Sequence, residues 1–131
     1  MAPRHRLTIR SIGLDPRARA LSERAEQQGL HLVGEVTVAD VVFIDGNLSN
    51  DDLNRIHSVH IDPLLQQGNW KVPTTDGIEI TLQAGVTDSA AAAVFHASSQ
   101  LGIDINAAAT GMRVEFAEGT DADLADEVVA K

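Results

Sequence analysis

No cysteine and no tyrosine occur among the 131 residues, and the aromatics stop at three Phe and one Trp. Without cysteine, a disulfide framework, a thiolate nucleophile and a Cys-based zinc site are all excluded. With so few rings, the core must be aliphatic, built from Val, Ile, Leu and Ala. No apolar run approaches the roughly 18 residues that a membrane span needs, and residues 1–10 carry no apolar signal-peptide stretch. A cytoplasmic protein with no membrane partner is therefore expected. The length suits one real core, or two small ones packed together.

Positive charge is also short. The net charge is −9, and the deficit is uneven: residues 1–70 sum to −2 and residues 71–131 to −7. Nucleic-acid binding is disfavoured, because neutralising phosphates needs a basic surface. The exception is the cluster Arg4, Arg6, Arg10, Arg17, Arg19 and Arg24. Its plain reading is a solvated strand end and helix face. Its functional reading is a docking surface for an acidic partner, with Arg10, Arg17 and Arg24 as candidates; that partner could be the chain's own acidic second half.

Catalytic motifs are missing too. There is no GxxxxGK[ST] loop, no GxSxG elbow and no GxGxxG after a strand. Gly85-Val86-Thr87-Asp88 opens a helix whose free N–H groups could hold an anion, but an acidic cap already fills that place. His57, His60 and Asp62 could converge on a metal, yet their place at a helix end before Pro63 favours surface histidines. His5, His31 and His96 are scattered. The pairs Asp51/Asp52 and Asp121/Asp123 sit at helix starts, where the dipole explains them.

What is present is a repeat. Sliding the sequence by 73 residues, without a gap, superimposes Thr8, Asp15, Ala18, Ala20, Gln27, Gly29, Thr37, Val41, Phe43 and Gly46 on Thr81, Asp88, Ala91, Ala93, Gln100, Gly102, Thr110, Val114, Phe116 and Gly119. The identities fall on turns and caps, so the chain is one module written twice. Residues 1–72 form the first copy, 73–77 a linker and 78–131 the second.

The first copy predicts a strand over residues 5–11, with Leu7 and Ile9 inward. Asp15 then caps a helix that begins with Pro16. Its buried stripe is Ala18, Leu21 and Ala25, and Gly29 supplies the left-handed stop. Strands over 32–37 and 41–44, joined by a short turn, come next. A helix capped by Ser49 or Asn50 follows, with Leu53, Ile56 and Val59 inward, and an edge strand over 64–72 closes the unit. The second copy repeats a strand over 78–83 and a helix over 89–100, capped by Thr87 or Asp88 and stopped by Gly102. Ala91, Val94 and Ser98 form its stripe. Strands near 105–110 and 112–117 and a helix from about Asp121 complete it. This β-α-β-β-α-β order is ferredoxin-like. The fold expected is thus α+β: two tandem modules with antiparallel sheets, related by an approximate two-fold axis like a fused dimer. The match to residues 62–72 would fall beyond Lys131. The second module is therefore expected to lack its last strand, with the edge covered by a continuing chain or a neighbouring one.

Strand, then Gly-Leu-Asp-Pro or Gly-Val-Thr-Asp, then a helix ending in Gly-Leu or Gly-Ile, resembles the PurS family. So does His60-Ile61-Asp62-Pro63-Leu64-Leu65-Gln66, entering the last strand of the first copy. PurS is the small component of phosphoribosylformylglycinamidine synthase, which performs an ATP- and glutamine-dependent amidation in purine synthesis. The resemblance implies a noncatalytic module with no active site of its own, bridging glutaminase and synthase components that themselves bind ATP and Mg. The family's Gly-Lys before its third strand is Gly111-Met112-Arg113 in one copy and Val38-Ala39-Asp40 in the other, so a contact made by that lysine does not carry over. Two other classes remain open. One is a tandem ferredoxin-like module binding a small metabolite, and the other an independent enzyme using the histidines.

Overall fold

A computed structural model describes residues 3–13, 15–29, 36–71, 73, 77–81 and 88–116. The elements are β1 (Arg4–Ser11), α1 (Pro16–Gln27), β2 (Thr37–Asp45), α2 (Asn50–His60), β3 (Gln66–Asn69), β4 (Gly77–Thr81), α3 (Ser89–Gln100) and β5 (Ala107–Glu115). The class is α+β. All five strands join one antiparallel sheet in the order β3-β1-β2-β5-β4.

Helix ends follow the side chains that cap them. Asp15 accepts from the Arg17 N–H at 2.9 Å, with Pro16 at the first helical position. Ser49 and Asp52 exchange bonds of 3.1 Å each with the other's backbone N–H, a capping box that starts α2. Asp88 accepts from the Ala91 N–H at 2.8 Å. Gly29 and Gly102 follow α1 and α3 at φ of 76° and 73°, where a Cβ would be strained.

The strands depart from expectation. No turn separates residues 37 and 41: β2 runs unbroken, and Asp40 pairs with Ile9 on one side and Met112 on the other. β5 likewise passes straight through Gly111, which pairs with both Val41 and Thr81. Gly111 is there for closeness, not for a turn, since an added Cβ would lie 2.8 Å from the Ile80 carbonyl oxygen. The closing strand shrinks to Gln66–Asn69, leaving Leu64 and Leu65 in an exposed turn. The two expected sheets, four-stranded in the first copy and lacking the last strand in the second, are thus replaced, among the described residues, by one sheet shared between the halves of the chain. The expectations for residues 32–35, 72, 74–76, 82–87 and 117–131, including the helix from Asp121, lie outside the described residues.

The repeat is also not kept in register. Thr8 pairs with Val41, but their counterparts 73 residues on do not pair: Thr81 meets Gly111 and Val114 meets Ile78. One consequence is that matched residues face opposite ways. Val114 and Phe116 pack with Leu21 and Ala25 of α1, whereas Val41 and Phe43 point to the side away from the helices. Apolar residues stand on both faces of β2, in Val41-Val42-Phe43-Ile44, so identity with β5 could not fix which face is inward.

All three helices contribute to one side of the sheet. Leu7, Ile9, Val42 and Ile44 cluster with Ile56 of α2, Val94 of α3, and Ile103 and Ile105. The other cluster joins Leu21, Ala25 and Val36 to Val114 and Phe116, with Ile78 and Met112 against it. Each cluster draws residues from both halves of the chain, so neither half owns a core. Val59 is not inward as expected; it is 50% exposed, while Ile56, one turn earlier, is fully buried.

Candidate interaction site

Away from the helices, side chains alternating with the core positions of β1, β4 and β5 carry charge. Arg6 forks onto Glu79, with one bond of 3.1 Å from Nη1 to Oε1. Arg113 donates from Nη1 to Glu79 Oε2 and from Nε to Glu115 Oε2, both at 3.1 Å. Arg10 reaches Glu115, and Thr37 donates its hydroxyl to the same carboxylate at 3.4 Å. The result is a row of alternating sign, Arg6–Glu79–Arg113–Glu115–Arg10. Between β1 and β5, Ala39 and Val41 on this face are 0% and 1% exposed. Hydrogen bonds from Arg6 first, and then from Arg113, hold the Glu79 carboxyl below its ordinary range against the opposing effect of burial.

The arginines singled out from sequence differ in what they meet. Arg10 is committed to Glu115. Arg17 bridges the cap residue Asp15 and, at 2.8 Å, Asp40 of β2; its bonds hold the Asp15 carboxyl down. Arg24 is exposed on the last turn of α1. The first copy's cations thus meet the acidic second half through Arg6 and Arg10.

The histidines are dispersed in their bonding. His57 Nε2 lies 3.1 Å from the Gly68 carbonyl oxygen. His60 is half-buried, its Nε2 has no partner, and desolvation lowers its pKa. Asp62 accepts from the Leu64 N–H at 3.0 Å, a local turn. Among the described residues, no group of three or more His, Asp or Glu is placed to hold a metal ion. No helix among them is long and apolar enough to cross a membrane.

Asp88 does more than cap. Its carboxylate also accepts from the Thr110 N–H and hydroxyl, each at 2.8 Å. Burial alone would raise this carboxyl, but the bonds from Ala91 and Thr110 outweigh it and keep the pKa low. The helix start is thereby bolted to β5.

Two clefts adjoin these residues. The larger, about 830 Å³, lies where β1 ends and α1 begins, beside the first residues of β2 and the end of β5; Arg10, Ser11, Asp15, Arg19, Thr37 and Glu115 are among its walls. The smaller, about 340 Å³, is walled by Arg4, His5, Arg6, Phe43 and Trp70. Sequence reasoning missed the second cleft and the ion-pair row. The signal for the row was available: Arg6 and Glu79 stand 73 residues apart, the repeat interval itself.

Compared with family models, with curated proteins and with solved structures, the chain matches none.

Proposed function

We propose that the chain is a noncatalytic PurS-like assembly component of phosphoribosylformylglycinamidine synthase. It would hold a glutaminase and an ATP-dependent synthase chain together during the amidation step of de novo purine biosynthesis, in the cytoplasm. The observation that carries this reading is the way the two copies combine. They join edge to edge through β2 and β5, and each hydrophobic cluster takes residues from both. From that central pair outward the sheet reads alike, with β1 beside β2 and β4 beside β5. The first helix of each copy clusters with strand residues of the other, an exchange that a two-fold axis would produce. Two ferredoxin-like modules fused as a pseudo-dimer would give this strand order, with the β4–β5 register and the reversed facing of Val114 and Phe116 as departures from exact symmetry. ATP and Mg belong, in this reading, to the partner chains.

The test is reconstitution. Purified glutaminase and synthase components from the same source should show glutamine-dependent amidation only when this chain is added, while ammonia-dependent amidation persists without it. Full glutamine-dependent activity in its absence would remove the proposed role.

The 830 Å³ cleft favours a second reading, a module that binds a small metabolite. Its charged walls are already paired, Arg10 with Glu115, Asp15 with Arg17 and Arg19 with Glu23. That leaves less for a ligand to satisfy, and the assembly role is preferred.

A further inference from the structure

Charge is spread unevenly over the three helices. α1 carries Arg17, Arg19, Glu23, Arg24 and Glu26, and α2 carries Asp51, Asp52 and Arg55. α3 carries no Asp, Glu, Lys or Arg at all. Burial does not explain the difference. Ala91, Val94 and Ser98 are buried, but Ala92, His96 and Ser99 are exposed and Phe95 is 45% exposed. These last four fall at i, i+3, i+4 and i+7, on one side of the helix. The residues 73 places earlier, Arg19, Ser22, Glu23 and Glu26, hold the same positions on α1, where Arg19 and Glu23 form an exposed ion pair. The side that α1 gives to water is charged; the same side of α3 is not. One exposed Phe is ordinary. A whole exposed helix side without charge, in a chain of net −9, marks a surface that something covers.

We propose that two copies of the chain pair through this side of α3, antiparallel about a two-fold axis. Three features select a second copy. Phe95 and His96 stand at the middle of the 12-residue helix, with Ala92 and Ser99 one turn to either side. Turned end for end, the face is its own complement: Phe95 and His96 lie against their mates, and each Ala92 lies near Ser99 of the other copy. The small side chains at both ends let the helix axes approach to about 8–10 Å, and the Phe95 rings fill the middle. Antiparallel placement also opposes the two helix dipoles favourably. Finally, chains of net charge −9 repel wherever acids face each other, and this side brings none. A partner recognised by its charge finds no counter-charge here.

A helix of this length is about 18 Å long, so the pair buries less than the roughly 800 Å² per partner of a standard interface. A dissociation constant on the order of 100 µM is expected. The face lies on the opposite side of the sheet from the ion-pair row, and the pairing does not rest on the assembly role.

Sedimentation equilibrium of the whole chain, from about 20 µM to about 1 mM, should fit a monomer–dimer equilibrium. Ala92→Glu adds an acid to the exposed face and should weaken pairing about tenfold or more. Ala20→Glu adds the same charge to an exposed position of α1 and should leave pairing unchanged. If Ala92→Glu lowers the melting temperature, Ser99→Glu, also exposed, makes the same test. The chain has no cysteine, so His96→Cys carries a single thiol close to the axis. A short bismaleimide should join two His96→Cys chains and fail to join two Ala20→Cys chains. A monomer throughout the range, equal weakening by Ala20→Glu, pairing that survives the added acid on α3, or no cross-link through His96→Cys would each overturn the proposal.

Discussion

Arg6 and Glu79 stand 73 residues apart and are ion-paired with each other, reaching from β1 to β4 across β2 and β5. The contact ties the first half of the chain to the second over the face of the sheet away from the helices. The Arg6 side chain is 15% exposed and that of Glu79 27%, so solvent screens the pair only in part. A double-mutant cycle with Arg6→Gln and Glu79→Gln should return a coupling of about 1 kcal/mol in denaturant unfolding. A coupling indistinguishable from zero would mean that the pair is not formed in solution.

Asp15 and Asp88 both cap helices, but their second partners differ, and stability should register the difference. Asp15→Ala removes a cap, at a cost of about 1 kcal/mol. Asp88→Ala removes a cap and also strands the N–H and hydroxyl of half-buried Thr110, raising the cost to roughly 2–3 kcal/mol. Urea midpoints of the two variants decide the ranking, and equal losses would contradict the structural role given to Thr110.

Gly111→Ala should be disruptive although it lies in a strand. The new methyl would sit 2.8 Å from a backbone oxygen of β4, which can yield only by moving the strand. A loss of about 1–3 kcal/mol is expected. Gly13→Ala, with open space around it, is the matched control and should be nearly neutral by the same measurement.

His60 supplies a pH dependence whose sign is fixed. Its folded pKa lies below the ordinary 6.5 because burial disfavours the imidazolium. The unfolded chain therefore binds the proton first as pH falls. Stability from this group is complete above about 6.5 and declines below it, through the folded pKa. His60→Gln should flatten the unfolding midpoint between pH 7 and pH 5 relative to wild type. A wild-type midpoint that rises on acidification through this interval, or an unchanged slope in the variant, would contradict it.

The helices were legible in sequence because their signals are local. Asp15-Pro16, Ser49 with Asp52, and Asp88 cap what they precede, and Gly29 and Gly102 stop α1 and α3. Strand limits were not, because they depend on partners. Val38-Ala39-Asp40 looks like a turn between apolar runs, but β1 and β5 on either side supply hydrogen bonds that hold it extended. Gly111 has turn chemistry by composition and serves instead a close approach to Ile80. Of the polar residues, the charged positions of β1 were visible as a cluster, but which acid each would meet was not. That choice is set by the sheet order, which brings Glu79 and Glu115 across to Arg6 and Arg10.

Sedimentation velocity tests the proposed assembly role most directly. Purified glutaminase and ATP-dependent synthase components are run alone, together, and together with this chain. The predicted result is a species containing all three that forms only when this chain is present. If the two enzymes sediment identically with and without it, and this chain remains at the mass of the free form, the assembly reading is contradicted.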